Sequence, residues 1–186
     1  MYENKIFLFL LAISLVLAAC EPKEKPEESY KPTTDPVAET LTDIKEVYNS
    51  YKACLHGNYA TGMTITLKRE DKTTEDFAID ELEYFNEDGE AVSTLIMQSK
   101  DWNIALSLYA YLEGGKLIEE GFVDIYRLSD EDNGYTCETL VIHSKDKIYL
   151  KDEETGQYIC VLQKGKGILY LEDNAGHTWE YTNSNT

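Results

Sequence analysis

The apolar residues Leu41, Ile44, Tyr48, Tyr51 and Leu55 recur at intervals of three and four. That interval gathers them into one stripe along an α-helix, with polar residues on the opposite side. Asp35-Pro36 has the form of an N-cap followed by a proline in the first turn, where the missing N–H costs nothing, and Gly57 marks the end. The pattern predicts one amphipathic helix that packs on the rest of the fold as a plug or lid.

Beyond Tyr59 the period shortens to two. Met63-Thr64-Ile65-Thr66-Leu67 alternates apolar and polar side chains, as a strand with one buried face must. Residues 77–85 read as a strand or a short helix. Strands follow at 92–98, 103–112, 117–128, 135–144, 147–151, 157–163, 167–172 and 177–182. The gaps between them are short and rich in turn formers, among them Asp88-Gly89, Gly114-Gly115, Asn133-Gly134 and Lys164-Gly165. Strands joined this tightly pair antiparallel with their chain neighbours, because a parallel crossover takes a dozen or more residues. The expected fold is mainly β: an antiparallel up-and-down meander that closes into a barrel to remove its edges, with a β-sandwich as the alternative.

The same alternation assigns faces. Trp102, Ile104, Leu106, Leu108 and Leu112 share one side of their strand and belong to the core, whereas Tyr109 and Tyr111 point the other way. With Tyr126, Tyr149 and Tyr170 they form the candidate ligand-contacting set. A tyrosine ring buries against sugar or mixed-polarity ligands while its hydroxyl stays bonded. Aromatic residues also favour strands when no ligand is involved, so fourteen tyrosines do not by themselves require one.

The first twenty residues obey neither period. Residues 6–19 are apolar except for Ser14, and fourteen residues fall short of the roughly 20 that cross a bilayer. They match the core of a signal peptide in length. The run ends in Leu17-Ala18-Ala19-Cys20, which resembles the lipobox of bacterial prolipoproteins. That resemblance implies cleavage between Ala19 and Cys20 and a diacylglyceryl group on the Cys20 sulfur. Lys5 is the only basic residue ahead of the run, and an ordinary secretory signal peptide is the alternative. Residues 20–36 contain all four prolines and almost no large apolar side chain, a composition that cannot offset the entropy of ordering. They read as a flexible acidic tether, loosely similar to the tag that carries lipoproteins to the cell surface in one Gram-negative phylum. The division is therefore a signal peptide at 1–19, a tether at 20–36 and one β-rich domain at 37–186. The expected place is the cell envelope, lipid-anchored at the outer membrane and facing either side.

Within the domain, the predicted helix, then Leu55-His56-Gly57-Asn58-Tyr59, then an up-and-down run of strands is similar to the calycin or lipocalin-like pattern. There a Gly-x-aromatic element precedes the first strand, and Tyr59 stands where a tryptophan is usual. The resemblance implies a barrel.

Charge narrows the partners. The chain carries 35 acids against 17 basic residues, a formal net charge of −18, and removing residues 1–19 takes away one of each sign. Such a surface opposes nucleic acid and anionic headgroups, and leaves cationic ligands, metal ions or neutral glycans open. Beyond Cys20, three cysteines remain: Cys54, Cys137 and Cys160. They make one disulfide and a spare thiol, or three buried thiols. Cys137 and Cys160 fall on strands separated by a third, about 9 to 10 Å apart and beyond disulfide reach, so any bridge involves Cys54.

No reaction motif is present: no nucleophile elbow, no phosphate-binding loop, no Cys-x-x-Cys pair. His56, His143 and His177 are scattered. The acidic segment starting at Asp130 is read as a solvated turn, and it fails calcium-loop spacing because its fifth position is Gly134. The expectation is a membrane-tethered, non-catalytic ligand-binding or interaction domain without cofactor or metal. A carboxylate-based hydrolase and a ligand-free structural component of the envelope are the alternatives. Whether the barrel interior is filled or hollow separates carriage of a small molecule from the rest.

Overall fold

The computed structural model describes residues 30–87 and 89–182. The Ala19–Cys20 junction, the apolar run before it and the tether up to residue 29 lie outside the described residues. A helix α1 (Ile44–Tyr51) continues into one π-helical turn, Lys52–His56. Ten strands follow: β1 (Thr64–Arg69), β2 (Thr74–Glu87), β3 (Glu90–Gln98), β4 (Trp102–Glu113), β5 (Lys116–Arg127), β6 (Asp130–Ser144), β7 (Lys147–Asp152), β8 (Tyr158–Gln163), β9 (Gly167–Glu172) and β10 (Thr178–Tyr181). Each pairs antiparallel with its chain neighbours, and β1 pairs with β10 through Leu67 opposite Tyr181, so the sheet closes into a barrel. The barrel, not the sandwich, is the observed architecture. Residues 77–85, open between strand and helix in the sequence, belong to β2.

Alternation drives the closure. Trp102, Ile104, Leu106, Leu108 and Ala110 point inward from β4, each 4% exposed or less. Leu112, assigned to the same buried face, is 54% exposed because β4 and β5 run past the barrel wall as a hairpin. Eight strands enclose a lumen that side chains just fill or that holds one small ligand, and ten enclose more. Here the extra space goes to large residues. Trp179, Phe77, Met97 and Leu95 lie inside with no more than 1% exposure, and Tyr51 and Leu55 enter from the helix at one end. The core is one continuous cluster from α1 to the opposite rim.

Two local expectations are corrected. The helix starts at Ile44, capped by Asp43, whose side chain accepts the Lys45 N–H at 2.6 Å. Asp35-Pro36 is not its start, because Asp35 is held on the barrel wall by Tyr158 and Lys151. The acidic segment beginning at Asp130 is strand, not turn: Asp130 pairs with Arg127, and a register shift between Ile125 and Arg127 absorbs the extra residues as a bulge. Solvated strand ends at a rim carry the same polar residues as a turn, which is why the pattern does not separate them. Cys54, Cys137 and Cys160 are free and buried, the second of the two open cysteine readings. Burial raises the thiols, to about 12 at Cys54 and about 11 at Cys137.

Candidate functional site

At the helix-capped end a polar chain crosses from helix to barrel. Ser50 Oγ lies 3.0 Å from His143 Nδ1, and His143 Nε2 lies 2.7 Å from Glu119 Oε2. Tyr51 donates to the same Glu119 oxygen at 3.0 Å and stacks on the His143 ring, 6.1 Å between centroids. With Nε2 protonated toward the carboxylate, Nδ1 accepts from the serine. The hydrogen-bond order is nucleophile, imidazole, carboxylate. Ser50, however, lies in the last turn of α1, where backbone N–H groups are spent on helical bonds and cannot face an oxyanion. The chain's evident work is to fix the helix over the barrel mouth. A second bond there, His56 Nε2 to Ser93 Oγ at 2.7 Å, joins the π-helical turn to β3.

The opposite end is closed by cation–aromatic stacking. Trp102 and Trp179 meet edge to face at 5.0 Å. Arg69 lies over both rings at 5.5 and 5.1 Å, and Arg127 lies over Trp102 at 4.8 Å. Glu75 binds Arg69 at 2.9 Å and the indole N–H of Trp179 at 3.2 Å. Two guanidinium groups thus lie against Trp102, and a cleft of about 170 Å³ beside it is lined by His177, bonded to Asp173.

A broad concavity lies on the outer wall. Residues 30–36 lie across β7, β8 and β9 as a strap. Lys31 pairs with Glu172 and lies over the Tyr170 ring, while Asp35 accepts from Tyr158 Oη at 2.7 Å and pairs with Lys151 at 3.4 Å. Under the strap, Val161, Leu169 and Tyr170 form a second apolar cluster with Tyr30, Tyr149 and Tyr181. Strap and wall bound a groove of about 910 Å³ lined by Tyr30, Thr33, Lys147, Tyr149, Gln163 and Lys166 among others. A further groove of about 530 Å³, beside the β5–β6 bulge, is acidic, with Asp124, Glu131 and Asp132 around Tyr126 and Tyr135.

The five tyrosines singled out from sequence do not converge. Tyr149 lines the strap groove, and Tyr170 lies buried next to it. Tyr126 lies in the acidic groove. Tyr109 packs edge to face on Phe122 at 5.8 Å, and Tyr111 donates to Glu120 at 2.8 Å, both on the outer face of the β4–β5 hairpin. Among the described residues no three His, Cys, Asp or Glu side chains converge as a metal would require. The strap does not stand out in the sequence, because residues 30–36 share the composition of the tether at 20–36. Its signal was present in the unbroken apolar runs of β8 and β9, which mark strands covered on both faces.

No protein-family model, no curated protein and no solved structure matches the chain.

Proposed function

We propose that the chain is an exported lipoprotein, held to the envelope membrane by lipid on Cys20, whose barrel is a non-catalytic domain that binds its ligand or partner on the outer wall. The observation that carries the second part is the packing of the interior: the core runs from α1 to the opposite rim with residues of 0–8% exposure, leaving binding to the exterior. The Leu17-Ala18-Ala19-Cys20 motif and the proline-rich residues that follow support the first part. A closed up-and-down barrel with a helix at one mouth and Gly57-Asn58-Tyr59 before β1 is consistent with a calycin-like domain. Its solid interior separates it from the carriers of that class, whose lumen takes a small ligand. Metabolic labelling with a radioactive fatty acid tests the anchor: label is expected on the wild-type chain and absent from Cys20→Ala, and label persisting in that variant contradicts it.

A second reading, hydrolysis, has one observation in its favour, the order of Ser50, His143 and Glu119. A fluorophosphonate probe that labelled the wild-type chain and not Ser50→Ala would replace the non-catalytic reading with this one.

A further inference from the structure

We infer that the strap groove is a binding site for an acidic saccharide, a pyranose-based ligand bearing a carboxylate or a phosphate. The inference deepens the reading of the barrel as an external binder and rests on it.

Three observations converge on that chemistry. The first is charge. In a chain with 35 acids, the described residues that line this groove include none, and they include Lys31, Lys147 and Lys166. The carboxylates nearest to it are engaged: Glu172 by Lys31 and Tyr170, Asp35 by Tyr158 and Lys151, Asp146 by the Gln163 amide at 2.7 Å. Lys147 and Lys166 have no carboxylate partner among the described residues, and Lys166 rests over the Tyr181 ring at 5.8 Å. The acidic groove beside the β5–β6 bulge has the opposite composition, so the contrast belongs to the place and not to the chain. With a Debye length of about 8 Å at physiological salt, the field inside the groove is set by the charges around it, Lys147 and Lys166 against Asp146 with the Lys31–Glu172 and Lys151–Asp35 pairs, and not by the distant −18.

The second observation is amphipathicity. Tyr30 and Tyr149 contribute aromatic rings to the lining, with Tyr149 edge to face on Tyr158 at 5.9 Å. Thr33 and Thr34 offer hydroxyls and Gln163 an amide. Rings for the C–H face of a pyranose and polar groups for its hydroxyls suit a saccharide, whereas a bare phosphate needs no rings. The third observation is size. About 910 Å³ lies within the range of ligand clefts and exceeds what a single inorganic anion fills.

The test is calorimetric titration of the full chain in mild detergent with trigalacturonate, mannose 6-phosphate, neutral maltotriose and, separately, vesicles of phosphatidylglycerol. At least one of the two acidic sugars is expected to bind saturably, with maltotriose at least tenfold weaker. Lys147→Glu/Lys166→Glu is expected to weaken that binding about tenfold or more, as the loss of two charge-assisted contacts does. Lys45→Glu/Lys116→Glu, on exposed sites of α1 and the β4–β5 hairpin, makes the same change in net charge and is expected to leave it within about twofold. Binding of neither acidic sugar overturns the inference. So do equal weakening by the two double variants, maltotriose binding as tightly as the acids, or binding of the vesicles alone. An acidic sugar that binds with full affinity to Lys147→Glu/Lys166→Glu also overturns the groove while leaving the barrel an external binder. Failure of that broader reading shows instead as a ligand inside the lumen, detected by titration with the apolar probe cis-parinaric acid.

Discussion

Tyr59 occupies the space that a side chain on Gly167 would need: a Cβ built on that glycine lies 2.0 Å from Tyr59 Oη. The same hydroxyl accepts the Ile168 N–H at 2.6 Å, and Gly167 sits at φ +83°, in the left-handed region. The residue that ends the Gly57-Asn58-Tyr59 element thus pins the start of β9 at the helix-capped end. Gly167→Ala is expected to cost about 3 kcal/mol or more, from strain and displaced packing. Tyr59→Phe, which leaves the buried Ile168 N–H unpaired, costs about 1–2 kcal/mol. Urea denaturation measures both, and an unchanged midpoint for Gly167→Ala contradicts the contact.

Gly121 and Thr139 make a second close approach, inside the barrel. A Cβ on Gly121 would lie 2.3 Å from Thr139 Oγ1, a buried hydroxyl without a hydrogen-bond partner among the described residues. Gly121→Ala is expected to destabilise by about 1–3 kcal/mol through overpacking. Thr139→Ala should change stability by less than about 1 kcal/mol, because it removes an unsatisfied hydroxyl along with a methyl. In the double variant most of the loss should return, a coupling that strictly additive values would deny.

Acid should loosen the helix-capped end before the rest. Burial, with Lys52 nearby, lowers His56 from its ordinary value of 6.5 to about 4. The folded state therefore holds His56 neutral where the unfolded chain protonates it, so stability is full above pH 6.5 and falls as pH drops toward 4. The carboxylates held below their ordinary range, Asp35, Glu70, Asp71 and Asp152, give up their contribution only at lower pH. His56→Gln should flatten the melting temperature between pH 6.5 and 4.5. An equally steep fall in the variant assigns the acid sensitivity elsewhere.

The three cysteines should be silent in the folded protein. In Cys20→Ala, Ellman's reagent at pH 8 is expected to find no fast-reacting thiol in buffer and three in 8 M urea, because burial keeps each in its neutral form and out of contact. Rapid modification of any of them in buffer contradicts the packing.

The barrel was legible because its signals are local. Trp102, Ile104, Leu106 and Leu108 alternate with small or polar residues, and glycine-bearing turns between short strands admit only antiparallel neighbours. Helix phase was also legible, since Tyr51 and Leu55 are the residues that enter the mouth. Its start was not: Asp35-Pro36 looks like a cap in one dimension, and only the Tyr158 hydroxyl 123 residues away shows that Asp35 is held elsewhere. The strap groove was hidden for a related reason. Tyr30 and Lys31 carry a linker's composition, and only the outer faces of β8 and β9 give them something to cover. Ser50, Glu119 and His143 are brought together by closure alone, so no spacing announced them.

The central claim is a packed barrel that binds outside itself. Residues 20–186 with Cys20→Ala, prepared without detergent, can be titrated with cis-parinaric acid while exciting Trp102 and Trp179, which lie inside with 4% and 0% exposure. The account predicts no saturable energy transfer to the probe and no rise in melting temperature. Stoichiometric, saturable transfer from those two tryptophans, accompanied by stabilisation, would show a ligand in the lumen and contradict it.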